Sequence, residues 1–123
     1  MNKKFLGIVA TALMLAGPAF GHHSFAMFDY NKEVTVNGEV SEFKWANPHI
    51  HIYVKAPDGS GKIAEYEIEG ATPDNLRKQG WSRETFKPGD KIAVTIHPLK
   101  NGTPGGMFVK ATHADGSPVG GIR

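Results

Sequence analysis

Apolar and polar residues alternate along several stretches of the chain, and this period of two is typical of strands that bury one face. The pattern predicts strands over residues 33–44, 49–54, 64–69, 92–96 and 107–114. In the first of these strands the apolar positions change phase between Val40 and Phe43. An extra residue in one strand causes such a change, so we predict a β-bulge there, with Gly38 allowing the strand to bend.

A short helix is predicted between the third and fourth strands, where the sequence is TPDNLRKQG at residues 72–80. Thr72 is a suitable N-cap, Pro73 is favoured at the first helical position and Gly80 follows the last turn, so we place the helix at 73–79. Three strands, a short helix and two further strands, with a bend in the first strand, predict a mainly β fold. We expect a small five-stranded barrel of the OB type. A plain β-sandwich is the alternative.

The first 21 residues have the organisation of a cleaved secretory signal peptide. A basic start is followed by an apolar run over residues 5–16, which is too short for a transmembrane span, and by small residues that end at Gly21. We predict cleavage after Gly21, with cleavage after Ala19 as the alternative. The chain then divides into a signal peptide (1–21), an amino-terminal arm (22–32) and a barrel domain (33–123). Export to the periplasm or the outside follows, with no transmembrane span in the mature form.

The composition of the exported chain limits which partners it can bind and which metal ligands it can offer. Fourteen basic and twelve acidic residues give the full sequence a formal net charge of +2. Removal of Lys3 and Lys4 with the signal peptide leaves twelve of each, which argues against nucleic acid as a partner. The chain has no cysteine, so disulfides and thiolate metal ligands are excluded and packing alone must hold this single domain together.

Several segments of the mature chain carry a resemblance to known sequences. They are HHSFAMFD, VNGEVSEFKWANPHIHIYV, LRKQGW, FKPGDKIAV and ADGSP, and the most specific parts are the HHSF start and the W-x-NPH segment. In these segments the chain resembles a family of small exported bacterial proteins of unknown function. The resemblance implies export and a compact β-domain. It brings no activity, ligand or catalytic residue, so function has to be argued from the side chains.

Two adjacent histidines, His22 and His23, stand at the predicted start of the mature chain. If His22 is the first residue, its α-amine and its own ring nitrogen form a chelate that an internal histidine cannot make. The α-amine has a pKa of about 7.7 to 8.0, so a divalent metal can displace its proton near neutral pH. His23 can add a third nitrogen or bind instead through the intervening amide. Cleavage after Ala19 would instead place His22 third, which also suits copper or nickel.

Two further histidines, His49 and His51, project from one face of the second predicted strand, opposite Ile50 and Ile52. Nitrogen ligands without thiolate suit copper, zinc or nickel, and the order of divalent affinities favours copper(II). The predicted metal ligands are therefore His22, His23, His49 and His51. Thioethers at Met27 and Met107 are suited to copper(I), although their spacing does not place them.

For this set to form one site, the arm must lie along the strand that carries His49 and His51. We expect Phe25 or Phe28 to anchor it in an apolar groove. His97 and His113 are single strand histidines, for which a structural or solvated role is the usual outcome. The acidic stripe at Glu65, Glu67 and Glu69 is interpreted as a solvated strand face rather than a calcium site.

The sequence thus predicts a periplasmic copper-binding protein that uses its amino-terminal histidine. The alternative is a metal-free OB-like module that binds a small ligand or an envelope protein. No nucleophile, base and orienting group occur at a recognisable spacing, so we name no catalytic residue and favour a binding module over an enzyme.

Overall fold

Five strands and one short helix make up the computed structural model, which describes residues 25–120. The strands are β1 (Val34–Lys44), β2 (His51–Pro57), β3 (Ile63–Glu69), β4 (Lys91–Pro98) and β5 (Gly105–His113), and the helix α1 is Pro73–Lys78. A single 3₁₀ turn at Phe25–Met27 precedes them. The predicted signal peptide, His22 and His23 lie outside the described residues. Among residues 25–120, no helix qualifies as a membrane span.

The strands close into a barrel in the order β1-β2-β3-β5-β4. All neighbouring pairs are antiparallel except β3 and β5, which run parallel. The prediction of a mainly β, five-stranded barrel with one short helix is therefore confirmed. The described strands do not form the alternative β-sandwich. Hydrophobic side chains from every strand fill the interior, among them Val40, Ile52, Ile68, Val94 and Ala111.

The first strand bends, so its first half pairs with β4 and its second half pairs with β2. Its register with β2 shifts between Val40 and Glu42, which is the bulge that the change of apolar phase predicts. Gly38 lies where β1 approaches β2 too closely for a side chain, since a Cβ atom there would collide with the carbonyl oxygen of Lys55. The bend thus depends on one bulge and one residue without a side chain.

The barrel closes where β5 inserts between β3 and β4. Gly105, with a φ of 146°, pairs with Glu67, and Gly106 pairs with Ile68. A Cβ atom on Gly105 would collide with the carbonyl oxygen of Glu67, and one on Gly106 with that of His97. Two consecutive glycines therefore allow the close approach that joins the two ends of the sheet.

The helix begins and ends almost where the sequence predicts. The hydroxyl of Thr72 accepts a hydrogen bond from the Asn75 N–H at 3.3 Å, and Pro73 is the first helical residue. The helix ends at Lys78, one residue before the predicted limit. Leu76 is buried against the core, so α1 covers one end of the barrel.

The described part of the arm, residues 25–32, is anchored by Phe28. This side chain is only 3% exposed, and its backbone forms an isolated bridge with Leu99. The Asp29 N–H donates to the Pro98 carbonyl at 2.8 Å. The backbone of the arm therefore pairs with the end of β4, and not with β2 as we expected. The physical reason is that β2 already has a partner strand on each side, so its backbone hydrogen bonds are taken.

Candidate metal site

His49 lies just before β2, and its ring is oriented by the backbone. Its Nδ1 lies 3.0 Å from the Gly70 carbonyl oxygen. Because a carbonyl only accepts, Nδ1 carries the proton in this contact, and in the neutral ring Nε2 has the free lone pair. The Nε2 atom lies 4.0 Å from a Glu69 carboxylate oxygen, and the two side chains are 26% and 13% exposed. An imidazole nitrogen and a carboxylate oxygen thus face each other at a partly sheltered position.

His51 forms a second pair of the same kind one row further along. Its Nε2 lies 3.9 Å from a Glu67 carboxylate oxygen, and the Tyr53 hydroxyl donates to the same oxygen at 3.2 Å. His51 and Tyr53 lie on the outer face of β2, as the alternation predicts, and His49 continues the same alternation just before the strand. The intervening Ile52 is fully buried in the core.

The sheet face around these histidines is acidic. Five carboxylates and two ammonium groups lie on the outer face of β1, β2 and β3, at Glu39, Glu42, Glu65, Glu67, Glu69, Lys44 and Lys55. Burial, followed by the negative charge of Glu67, raises the pKa of Tyr53 above its ordinary value of 10.0. This excess of negative charge attracts cations and repels phosphate.

The arm reaches this face at its first described residue. The Phe25 ring packs edge-on against His49, with 5.7 Å between the ring centroids, while the side chain remains 54% exposed. Only Ser24 separates Phe25 from His23 in the sequence, and two consecutive peptide units span at most about 7 Å. His22 and His23 themselves lie outside the described residues.

Of the four predicted ligands, the structure describes His49 and His51 but not His22 and His23. His49 and His51 share one face, and each is paired with a carboxylate. Within residues 25–120, no group of three or more histidine, cysteine or acidic side chains is arranged to hold a metal ion. The described residues therefore supply imidazole–carboxylate pairs but no complete set of metal ligands.

The other two histidines lie elsewhere. His97, on β4, has its Nδ1 2.8 Å from the Lys32 carbonyl oxygen, and its ring packs against Tyr30 at 5.2 Å. It therefore holds the arm. His113 ends β5, and its N–H donates to the Ser117 carbonyl in the last turn.

Sequence reasoning missed the acidic partners of the histidines. It assigned Glu67 and Glu69 to a solvated stripe, whereas Glu69 is mostly covered. The signal was present in the hairpin between β2 and β3, because counting outward from its turn places His51 opposite Glu69 and Tyr53 opposite Glu67. Cross-strand pairing, which periodicity along one strand does not reveal, brings these groups together.

Comparison with known proteins identifies a family and a fold. The sequence model of the family of unknown function (DUF6152) matches residues 11–109, so the chain belongs to that family. This confirms the resemblance to an uncharacterised family. No curated protein matches the sequence significantly.

Among solved structures, the chain is similar to the mitochondrial single-stranded DNA-binding protein Rim1 from S. cerevisiae. The two are 14% identical, with a TM-score of 0.50, and the match covers 68% of this chain and 93% of that chain. At this identity the similarity concerns the fold alone, and it confirms that the barrel is OB-like.

Proposed function

We propose that this member of a family of unknown function is an exported copper-binding protein whose site joins the amino terminus at His22 to His49 and His51. One observation carries the proposal. His49 is oriented through Nδ1 by the Gly70 carbonyl, which leaves Nε2 free beside Glu69, and the arm packs on the same ring through Phe25. A backbone carbonyl that fixes the ring and tautomer in this way is typical of metal-binding histidines.

The amino terminus supplies the ligands that the described residues lack. After cleavage behind Gly21, His22 offers an amine and an imidazole nitrogen, and His23 offers a further imidazole. The amine loses its proton to a divalent ion at modest cost because its pKa lies near 8, about two units below that of a lysine. His49 and His51 then complete the coordination from the barrel.

The donor set also favours copper among the candidate metals. Nitrogen atoms dominate it, the carboxylates of Glu67 and Glu69 are the available oxygens, and the chain has no cysteine. Zinc and nickel accept the same ligands, but copper(II) binds most tightly in the order of divalent affinities.

We do not propose that this chain binds DNA as the yeast protein does. OB folds bind oligonucleotides on the outer face of their second and third strands. On this barrel that face carries more carboxylates than ammonium groups, so it opposes a phosphate backbone. The same charge favours a cation.

Two measurements test the proposal. Mass spectrometry of the exported protein determines the mature amino terminus, for which we expect His22. An electron paramagnetic resonance titration then compares the mature protein with a form that carries one alanine before His22. We expect one copper(II) per chain with nitrogen hyperfine structure, and at least tenfold weaker binding in the extended form because its amine has left chelating position.

A matched control is His113→Ala, which removes an imidazole far from the arm and should bind copper as the parent does. The proposal is overturned if the mature chain begins at Ser24 or later, or if the extended form gives the same spectrum and affinity as the parent. If the extended form matches the parent and no histidine variant alters the binding of any metal, the alternative function becomes the better interpretation. That alternative is a metal-free OB-like module that contacts a small ligand or an envelope protein.

A further inference from the structure

A row of side chains runs around the barrel at the level of the candidate site. His51 pairs with Glu69 across β2 and β3, Glu69 with Met107 across β3 and β5, and Met107 with His97 across β5 and β4. Paired residues of neighbouring strands project to the same side of a sheet and lie about 4.8 Å apart. Met107 therefore stands on the outer face directly beside Glu69, whose carboxylate faces His49.

Met107 and His49 also share a recess. Both line a cavity of about 380 Å³ between the arm, α1 and β5. Most of its other walls are apolar and include Phe25, Leu76, Trp81 and Phe108. An imidazole with a free nitrogen and a thioether thus border one largely apolar space, and Met107 is neither fully buried nor fully exposed.

We propose that Met107 is a thioether ligand that binds copper(I) together with His49 in this recess. The inference rests on the proposed function, since it concerns the same site in the other oxidation state of the metal. Thioether sulfur is a soft ligand that selects copper(I), and the flexible methionine side chain can turn its sulfur toward Nε2 of His49.

The surroundings of the recess favour the same oxidation state. An apolar shell disfavours the more highly charged ion, so copper(I) is stabilised relative to copper(II) near Phe25, Trp81 and Phe108. Copper(II) instead prefers the amine and imidazole nitrogens at the start of the arm. The two ligand sets overlap at His49, so both oxidation states use that imidazole.

The second methionine near the site, Met27, provides a matched control. It lines a different and smaller cavity, of about 90 Å³, together with His51, Glu67 and Glu69. Carboxylates border that space, whereas, among the described residues, none lines the His49 recess. Met27→Leu and Met107→Leu make the same chemical change, and each nearly conserves side-chain volume.

The test measures both oxidation states in the mature, full-length protein. Copper(I) affinity is obtained by anaerobic competition with bicinchoninate, and the sulfur ligand by X-ray absorption. In the parent we expect copper–sulfur scattering. In Met107→Leu we expect its loss, at least tenfold weaker copper(I) binding and unchanged copper(II) binding by paramagnetic resonance. Met27→Leu should behave as the parent.

The outcomes separate this inference from the proposed function. Absence of copper–sulfur scattering in the parent, or its persistence in Met107→Leu, overturns the role of Met107, while normal copper(II) binding leaves the proposed function standing. Loss of copper–sulfur scattering in Met27→Leu rather than in Met107→Leu would also overturn the role of Met107. Conversely, a parent that binds copper(I) through Met107 but shows no dependence of copper(II) binding on the amino terminus supports the inference and refutes the proposed function.

Discussion

His49 and His97 are held in the same way at two places on the barrel. In each, Nδ1 donates to a backbone carbonyl, that of Gly70 at 3.0 Å for His49 and that of Lys32 at 2.8 Å for His97. Each ring also packs against an aromatic side chain of the arm. By orientation alone, the two imidazoles are equally prepared to bind a metal through Nε2.

The surroundings of Nε2 distinguish them. His49 faces the Glu69 carboxylate and borders the recess that contains Met107, whereas His97 is packed against Tyr30. Within the described part of the chain, no carboxylate forms an ion pair with His97. The comparison teaches that a backbone hydrogen bond to Nδ1 serves equally to fasten a loop and to aim a ligand, and that the groups near Nε2 decide which.

The largest effect is expected from Phe28→Ala, which removes the anchor that holds the arm against both histidines. Phe28 is almost fully buried, so its loss should lower the free energy of unfolding by about 3 kcal/mol, at the lower end for a buried phenylalanine. Denaturant unfolding measures this change, with Tyr30→Leu at the exposed end of the arm as the milder control. A loss below about 1 kcal/mol would show that Phe28 is not the anchor.

The double change His49→Ala with His51→Ala tests the metal-binding side of the comparison. At a free copper(II) concentration one hundred times the dissociation constant, the metal should stabilise the parent by about 2.7 kcal/mol. Most of this gain should disappear in the double variant and persist in His113→Ala. Calorimetry with and without copper measures it, and an equal rise in melting temperature in parent and double variant would place the site in the arm alone.

His97→Ala tests the structural side. It removes the hydrogen bond to the Lys32 carbonyl and the contact with Tyr30, which should cost about 1 kcal/mol of stability. The copper-dependent increment should remain, because Nε2 of His97 is not proposed as a ligand. Calorimetry on the parent and on His97→Ala, each with and without copper, measures both the loss of stability and the copper-dependent increment. A reduced increment would mean that His97 belongs to the site.

The smallest effect concerns Tyr53, which lies two residues after His51 on β2 and opposite Glu67 on β3. Burial and the charge of Glu67 raise its pKa, so Glu67→Gln should lower that pKa toward 10.0, while Glu65→Gln should change it less. Phenolate absorbance against pH measures both. Because the folded-state pKa is raised, the stability linked to Tyr53 is complete below pH 10 and is lost as the pH rises through the folded value. An unchanged titration in Glu67→Gln would show that the acidic face does not act on its neighbours.

Local patterns were sufficient to predict several parts of the fold. Thr72 and Pro73 start the helix because their capping chemistry needs only adjacent residues. The phase change after Val40 specified the bulge, and alternation along β2 placed His49 and His51 outside the core. In each case the determining interaction lies within a few residues of the chain or between the two faces of one strand.

The parts that failed depend on contacts between distant residues. Docking of the arm on the end of β4 was not predicted, because the bridge between Phe28 and Leu99 joins residues that are distant in the sequence. The parallel pairing of Glu69 with Met107 joins residues almost forty positions apart, with no turn between them to set the register. The environment of His49 is built from such pairings, so its position outside the core was predicted while its neighbours were not.

The join between β3 and β5 also determines how the barrel opens. Only three residue pairs close it, against five to seven in each of the other strand pairs, and two of the three contain a glycine. Amide hydrogen exchange should therefore be fastest along this seam, where the smallest local unfolding event separates the two edges of the sheet. His49 lies on the β2–β3 side of the seam and Met107 on the β5 side. An ion held by both would restrain the barrel at its weakest junction, and exchange of the Met107 amide would report its arrival.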